Sequence, residues 1–310
     1  MSTITKTHWS VVLDRYYVDL LRDQDSIDPT MYEIISRLNE FRKEHSPTEW
    51  NDGIRQSIVA HPIRNVLHQD PLTRRCFEKP RGYAGDAVML DYIYGRIPDN
   101  HVTELGRKIL SHNLLHPGCR GIRYRRDFMA TMIDQVALER KNARIFSLAC
   151  GHLREAALSE AVKYGNLFEL VALDQDEESL SAIRAELPLP YIKPIRGSVK
   201  ELIKGIYSLG TFDFIYASGL YDYLSQPAAR RLTSCLFKML KSGGILLVPN
   251  AVPELSDSGY METFMDWMLI YRDVDMLADI AADIPAEDVV SQKTFSEPNG
   301  VFVFLEIRRA

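Results

Sequence analysis

The sequence predicts an α/β fold whose second half forms a mostly parallel sheet and whose first half is all helical. Three observations predict it. From Arg144 onward, short apolar runs alternate with segments of helical periodicity, the pattern of βαβ units. Before about residue 140, apolar residues recur only at helical spacing. Near the end, two apolar runs are joined by the short connection 296–300, which predicts a hairpin.

The first half consists of segments in which apolar residues recur at intervals of three and four. Met31, Ile34, Ile35 and Leu38 illustrate this spacing. The predicted helices of this half are 9–24, 28–44, 51–68, 85–95, 102–115 and 121–139. We expect them to form a helical domain over residues 1–140, followed by a second domain over residues 141–310.

The second half contains seven apolar runs of strand length. The predicted strands are 144–149, 168–174, 191–197, 212–218, 244–250, 288–295 and 300–309. Helical segments are predicted between them at 153–164, 177–187 and 226–241, and a long one at 258–282. Gly243 and Gly244 predict a C-cap for the helix 226–241. The final hairpin predicts a last strand that runs antiparallel to its neighbour.

Composition narrows the classes of function. The chain has 310 residues, 46% of them apolar and 25% charged, as in a soluble globular protein. Its net charge of −5 disfavours a nucleic acid as partner. We expect no membrane span, because no apolar run approaches the ~18 residues required, and no signal peptide, because segment 1–23 is charged too early. Four cysteines without a CxxC pair predict no disulfide scaffold and no metal site, which favours a cytoplasmic protein.

Ligands of an open α/β sheet bind at the carboxyl ends of its strands. Gly151 follows the first strand, where a glycine lets a ligand approach the backbone and the next helix offers free N–H groups. Asp174 ends the second strand 23 residues later, and an acid there suits a pair of ribose hydroxyls. Alone, Gly151 also fits a tight turn and Asp174 a helix N-terminal acid. Together they predict a nucleoside ligand.

Over residues 142–310 this pattern resembles the class I S-adenosylmethionine-dependent methyltransferases. The resemblance implies a seven-stranded Rossmann-like sheet, an antiparallel last strand and S-adenosylmethionine as cofactor. Ser147 and His152-Leu153 depart from the family pattern, at the usual acid of the strand-1 motif and at its second glycine. The implied cofactor contacts in this half are Ala149, Cys150, Gly151, His152, Asp174, Gln175, Ser198, Val199 and Ser218.

A narrower resemblance concerns the bacterial methyltransferases assigned to biosynthesis of the 3-hydroxypalmitic acid methyl ester signal. The segments 79–86, 219–224 and 260–272 carry it. Within the first segment, Tyr83 is predicted to belong to a lid that closes over the cofactor and acts in catalysis, although a structured loop is the alternative. Arg81 is predicted to bind a carboxylate in a forked pair, or is a surface charge.

Acceptor contacts are predicted after strand 4 and within the helix 258–282. Asp222 follows strand 4 between Tyr221 and Tyr223, where a site acid competes with a helix cap between packed aromatics. The helix carries an aromatic stripe that suits the core, or else a pocket for an apolar chain. The members of this stripe are Tyr260, Phe264, Trp267 and Tyr271.

Two acids lie four residues apart in the same predicted helix. Glu262 and Asp266 would share one face, where like charges destabilise a helix slightly. They belong either to a solvated face or to a pocket pair that faces Arg272 or Arg81.

The predicted reaction is methyl transfer to a small molecule, the carboxylate of a hydroxy or fatty acid. A carboxylate is ionised at neutral pH and needs no base, so the enzyme mainly orients and desolvates the reactants. Arg81, Arg272 and Tyr83 would fix the acid. A hydroxyl or amine acceptor would instead need a base, for which Asp222, Glu262 and His152 are candidates. A non-catalytic binding module is a further alternative, and a homodimer is left open.

Overall fold

A computed structural model describes residues 3–22, 27–97 and 102–310, with side chains described from residue 9 onward. The chain forms two compact units. The helical unit contains residues 1–120 and 255–268, and the sheet unit contains residues 121–254 and 269–310. The predicted domains, 1–140 and 141–310, stay a prediction.

Helices build the first unit, as the apolar spacing predicts. The predicted helix 51–68 is wrong as one element, because the chain passes through a π-helical turn, Trp50–Ile54, and breaks at residues 60–62. The helices that precede the first strand are α1 Thr3–Arg22, α2 Ile27–Glu44, α3 Pro47–Glu49, α4 Arg55–Val59, α5 Ile63–Leu67, α6 Pro71–Glu78, α7 Ala87–Ile93, α8 Glu104–Leu114 and α9 Pro117–Glu139. Helix α9 continues into the sheet unit, which begins at Gly121. None of the described helices is long and apolar enough to cross a bilayer.

A seven-stranded sheet forms the centre of the second unit, in the order β3-β2-β1-β4-β5-β7-β6. The strands β1 to β5 pair in parallel, whereas β7 is antiparallel to both β5 and β6, so the predicted antiparallel last strand is confirmed. The strand order reverses at β1, which lies between β2 and β4. The strands are β1 Arg144–Leu148, β2 Glu169–Asp174, β3 Ile192–Arg196, β4 Phe212–Tyr216, β5 Leu240–Ala251, β6 Val289–Ser296 and β7 Phe302–Arg309.

Short helices connect the strands. They are α10 Glu160–Lys163, α11 Glu177–Glu186, α12 Val199–Ile203 and α13 Gln226–Lys238, while α14 Ser258–Phe264 and α15 Val274–Ala278 follow β5. The predicted C-cap at Gly243 and Gly244 is wrong, because both residues lie inside β5. The pairing of β4 with β5 changes register there, since Phe212 lies opposite Leu240 but Phe214 lies opposite Ile245. The extra residues of β5 make this part of the strand irregular.

Two predicted helices are shorter than their periodicity suggests. Residues 153–159 form turns, so no helix begins directly after the loop that follows β1. The predicted helix 258–282 divides into α14 and α15, separated by an irregular stretch. Asp266 has a φ of 45° there, which ends regular helix. In the sheet unit, Arg272 donates its backbone N–H to Ala251 at 3.0 Å, so these residues follow β5 instead of continuing a helix.

Candidate functional site

The loop after β1 has an unusual backbone. Ala149, Gly151 and Leu153 have φ values of 51°, 52° and 53°, all left-handed. Glycine adopts this conformation freely, but for alanine and leucine it costs on the order of 1–2 kcal/mol. Strained residues of this kind cluster at ligand-binding sites. The strain is held by bonds to the next strand, since Cys150 donates its N–H to the Leu173 carbonyl at 3.3 Å.

Asp174 joins that loop to the end of β2. Its Oδ2 accepts the Gly151 N–H at 2.8 Å, and its Oδ1 accepts the Asp176 N–H at 2.9 Å. Burial raises the pKa of Asp174, and the backbone N–H groups of Asp176, Gly151 and Gln175 oppose the rise. The two oxygens of a carboxylate have about four lone-pair sites, so Asp174 keeps acceptor capacity beyond these bonds. The contact between Gly151 and Asp174 follows from their register, while their binding to a cofactor stays a prediction.

The other predicted residues of this loop make local contacts. His152 is buried, and its Nδ1 lies 3.2 Å from Nη2 of Arg154, which also pairs with Glu186. Burial raises the pKa of the Cys150 thiol, which keeps it protonated and unreactive. Turns follow this loop, and no helix begins there. The loop therefore does not offer a ligand the free N–H groups of a helix start, which we expected from the sequence.

The ends of β2 and β3 carry the remaining residues predicted near the adenosine. Gln175 is exposed directly after β2. Ser198 begins α12 in a capping box, in which its Oγ accepts the Glu201 N–H at 3.3 Å. Val199 is the first residue of that helix, and Gly197 donates its N–H to the Asp174 carbonyl at 2.9 Å. These contacts bring the end of β3 to the end of β2, beside the loop.

Polar groups also gather at the end of β4. The Oγ of Ser218 is buried and has no hydrogen-bond partner among the described residues. Asp222 is buried, and its Oδ1 accepts the Ala251 N–H at 2.7 Å. Burial raises the pKa of Asp222. Of the two flanking aromatics, Tyr221 lies in the core and bonds Thr233 at 3.0 Å, whereas Tyr223 is 40% exposed.

Two buried charged residues at this end of the sheet are absent from the sequence predictions. Arg125 of α9 is 5% exposed, lies over the Phe302 ring at 4.6 Å, and has its Nη1 3.9 Å from Oδ2 of Asp222. Glu155 accepts the Tyr216 hydroxyl at 2.8 Å, and burial raises its pKa. Arg125 stands in the arginine-rich run 120–126, so no spacing distinguishes it from its surface neighbours.

Arg272, which we expected to fix the acceptor, is fully buried and holds the chain together. Its Nε donates to the Gln226 side chain at 2.8 Å, and its Nη1 donates to the Tyr221 carbonyl at 2.8 Å and to Asn250 at 2.6 Å. Its Nη2 donates to the Leu224 carbonyl at 2.5 Å. Because every guanidinium nitrogen already donates, this geometry favours a structural role over contact with an acceptor.

Glu262 and Asp266 lie in the helical unit. The Oε2 of Glu262 accepts Nε of Arg42 and Nε1 of Trp50, both at 2.8 Å. Asp266 pairs with Arg55 at 2.6 Å and with Lys79 at 2.5 Å. These contacts come from α2, the π-helical turn, α4 and Lys79, and the expected pairing with Arg272 or Arg81 stays a prediction. This arrangement favours structural ion pairs over a general base.

The segment 79–86 of the helical unit is fastened at both ends. At its start, Lys79 pairs with Asp266 at 2.5 Å. Arg75 donates to both oxygens of Asp86, at 2.9 and 2.7 Å, and Asp86 caps α7 by accepting the Met89 N–H at 2.8 Å. Arg81 and Tyr83 lie between these anchors and are half-buried. Their contacts with cofactor and acceptor stay predictions.

The residues of the predicted aromatic stripe are divided between the two units. The Tyr260 hydroxyl lies 3.0 Å from the Thr73 hydroxyl, Phe264 is fully buried and Trp267 is 8% exposed, all within the helical unit. Tyr271 belongs to the sheet unit. This favours the core alternative over a pocket for an apolar chain.

Known proteins share the fold of this chain. A comparison with family models finds no match, and neither does a comparison with curated proteins. A possible exported protein from Bordetella parapertussis has 15% identity and a TM-score of 0.61, covering 85% of this chain and 98% of its own. A putative methyltransferase from Thermobifida fusca has 16% identity and a TM-score of 0.52, covering 72% and 94%. At such identities the likeness concerns the fold.

Proposed function

We propose that this protein transfers a methyl group from S-adenosylmethionine to a small molecule. The observation that carries the proposal is the contact of Gly151 with Asp174 at the point where the strand order of the sheet reverses. That point is where open α/β sheets bind ligands. The fold shared with a putative methyltransferase supports the same reading.

The residues at this point fit a nucleoside sulfonium. Asp174 has acceptor capacity left for the hydroxyls of a ribose. The strained loop 149–153 follows β1, where the methionine part would lie. The buried Oγ of Ser218, which no described residue partners, offers a polar contact at the end of β4. When bound, S-adenosylmethionine supplies a methyl group on a positively charged sulfur.

We further propose that the acceptor is the carboxylate of a hydroxy or fatty acid, the acceptor that the sequence resemblance implies. One carboxylate oxygen forms a bond to the methyl carbon while the carbon–sulfur bond breaks, and its electron pair stays on sulfur. The products are a methyl ester and S-adenosylhomocysteine, and no proton has to move. The protein therefore has to exclude water and orient the two reactants.

The test uses S-adenosylmethionine labelled in its methyl group, a panel of 3-hydroxy and simple fatty acids, and a small-molecule extract. Mild base releases methanol from a methyl ester but not from a methyl ether or amine. Base-labile label on an acid is the expected result. Base-stable label would instead support a hydroxyl or amine acceptor, with buried Asp222 as the base candidate.

The control for this experiment is the Asp174→Ala protein, which should transfer label at least tenfold more slowly when S-adenosylmethionine is well below saturation. Binding of S-adenosylhomocysteine, measured by calorimetry, separates a missing acceptor from a missing activity. If the wild-type protein neither transfers label nor binds the nucleoside, the methyltransferase proposal is wrong and a non-catalytic module is favoured.

A further inference from the structure

We infer that Arg125 is the group that binds the carboxylate of the acceptor, so that the protein selects acids over neutral molecules of the same length. This inference rests on the proposed function and assigns a specificity-determining residue to it. All residues from which it is argued belong to the sheet unit.

The guanidinium of Arg125 is buried with its donors unused. The residue is 5% exposed, yet it makes no hydrogen bond to any part of the chain that the structure describes. Its closest acidic atom, Oδ2 of Asp222, is 3.9 Å away, which is beyond hydrogen-bonding distance. None of the Arg125 nitrogens is among the fully enclosed atoms that lack a partner, so these donors keep some accessible surface through which a ligand can reach them.

Arg125 is nevertheless held in place. Its Cζ lies 4.6 Å from the centre of the Phe302 ring, a cation–π contact. Asp222 attracts it electrostatically, and Asp222 is itself fixed by the Ala251 N–H at 2.7 Å. The guanidinium is therefore preorganised, with its planar fork of donors available to the two oxygens of a carboxylate.

Gly219 leaves space beside this fork. A Cβ placed on Gly219 would lie 3.5 Å from Nη2 of Arg125, 3.9 Å from its Cζ and 4.0 Å from its Nη1. These are ordinary van der Waals distances, so the absent side chain leaves a volume directly against the guanidinium. Gly219 follows β4, the strand next to β1 and its strained loop. A carboxylate in that volume would lie at the ligand-binding edge of the sheet.

The charges near Arg125 are compatible with an incoming anion. Asp222 and Glu155 are the acids that interact with it electrostatically. Burial raises the pKa of both, and the attraction of Arg125 opposes that rise. Each carboxylate oxygen of a ligand has two lone pairs, so an oxygen that accepts from Arg125 keeps one for the methyl carbon.

The test measures the binding of two probes by calorimetry, in the presence of S-adenosylhomocysteine. One probe is 3-hydroxydecanoate, and the other is 1,3-decanediol, which has the same chain without the carboxylate. We expect the wild-type protein to prefer the acid, and Arg125→Gln to lose at least tenfold in affinity for the acid while its affinity for the diol changes less than twofold. Arg120→Gln, an exposed arginine of the same helix, is the matched control and should behave as wild type.

Gly219→Ala provides a second variant that leaves Arg125 intact. Its methyl group meets no atom closer than 3.5 Å, so the protein should fold, and the filled volume should weaken acid binding at least fivefold. This variant decides the matter if Arg125→Gln does not fold. Unchanged acid affinity in both variants would overturn the inference.

A cofactor carboxylate is the competing source of the same chemistry. If Arg125→Gln loses affinity for S-adenosylhomocysteine but binds methylthioadenosine, which lacks the amino-acid part, as wild type does, the arginine serves the cofactor and the inference is wrong. If the wild-type protein binds the acid through Arg125 but binds neither nucleoside, the inference stands and the proposed methyl transfer fails.

Discussion

The backbone N–H of Gly151 donates to the buried carboxylate of Asp174 at 2.8 Å, which ties the strained loop after β1 to the end of β2. The acid thus has a structural partner before any ligand is bound. It can hold the loop in its left-handed conformation and still accept a hydroxyl from outside. The two residues are 23 positions apart, so the contact depends on the parallel register of β1 and β2, in which Leu148 lies opposite Leu173.

Asp174→Ala should weaken S-adenosylhomocysteine binding at least tenfold, because it removes the hydroxyl acceptor and releases the Gly151 N–H. Asp174→Asn keeps one oxygen and should lose less. Calorimetry measures both affinities. Asp176→Ala is the matched control, since Asp176 caps α11 by accepting the Glu178 N–H at 3.1 Å and should affect stability alone. Equal affinities of wild type and Asp174→Ala would remove Asp174 from the site.

The sequence predicts the sheet well because most of its strands are local apolar runs. It predicts the helix ends poorly where distant contacts decide them, as at Arg272, whose backbone bonds Ala251 of β5. Gly151 and Asp174 could be found because strand order places them at one edge. Arg125 could not, because burial alone distinguishes it from neighbouring arginines.

Arg272→Ala should destabilise the protein by about 2–4 kcal/mol, because it leaves the buried Oδ1 of Asn250 and the half-buried Leu224 carbonyl without their donor. Urea denaturation measures the free energy of unfolding. Arg272→Lys should not rescue it, since an ammonium cannot reproduce the fork. The sequence instead predicts that Arg272 contacts the acceptor. A raised KM for the acceptor in Arg272→Ala, with unchanged stability, would support that prediction.

Glu262→Ala should cost about 3–5 kcal/mol of stability, because Arg42 and the Trp50 indole lose a buried acceptor. Glu262→Gln keeps the acceptor and should cost less. Neither variant should change the pH profile of turnover, measured under conditions in which the protein is folded. Glu40→Ala, an exposed residue of α2, is the control. Loss of the acidic limb from the pH profile in Glu262→Gln would instead identify a general base.

Asp257 should make the protein less stable as pH rises. It is 7% exposed, its Oδ1 has no hydrogen-bond partner among the described residues, and burial raises its pKa to about 6. The backbone N–H of Gly118, near the start of α9, opposes that rise. Because the folded pKa exceeds the unfolded value, the folded protein holds the extra proton between about pH 4 and pH 6, and stability falls across this window.

Asp257→Asn removes that proton equilibrium while keeping an oxygen for Gly118. It should stabilise the protein by about 1–3 kcal/mol at pH 8 and leave it nearly unchanged at pH 4. Urea denaturation at the two pH values measures the difference, and Asp127→Asn, an exposed acid, controls for net charge. A gain of the same size at both pH values would mean that Asp257 is already ionised at pH 4, and that its burial is compensated by contacts beyond the Gly118 N–H.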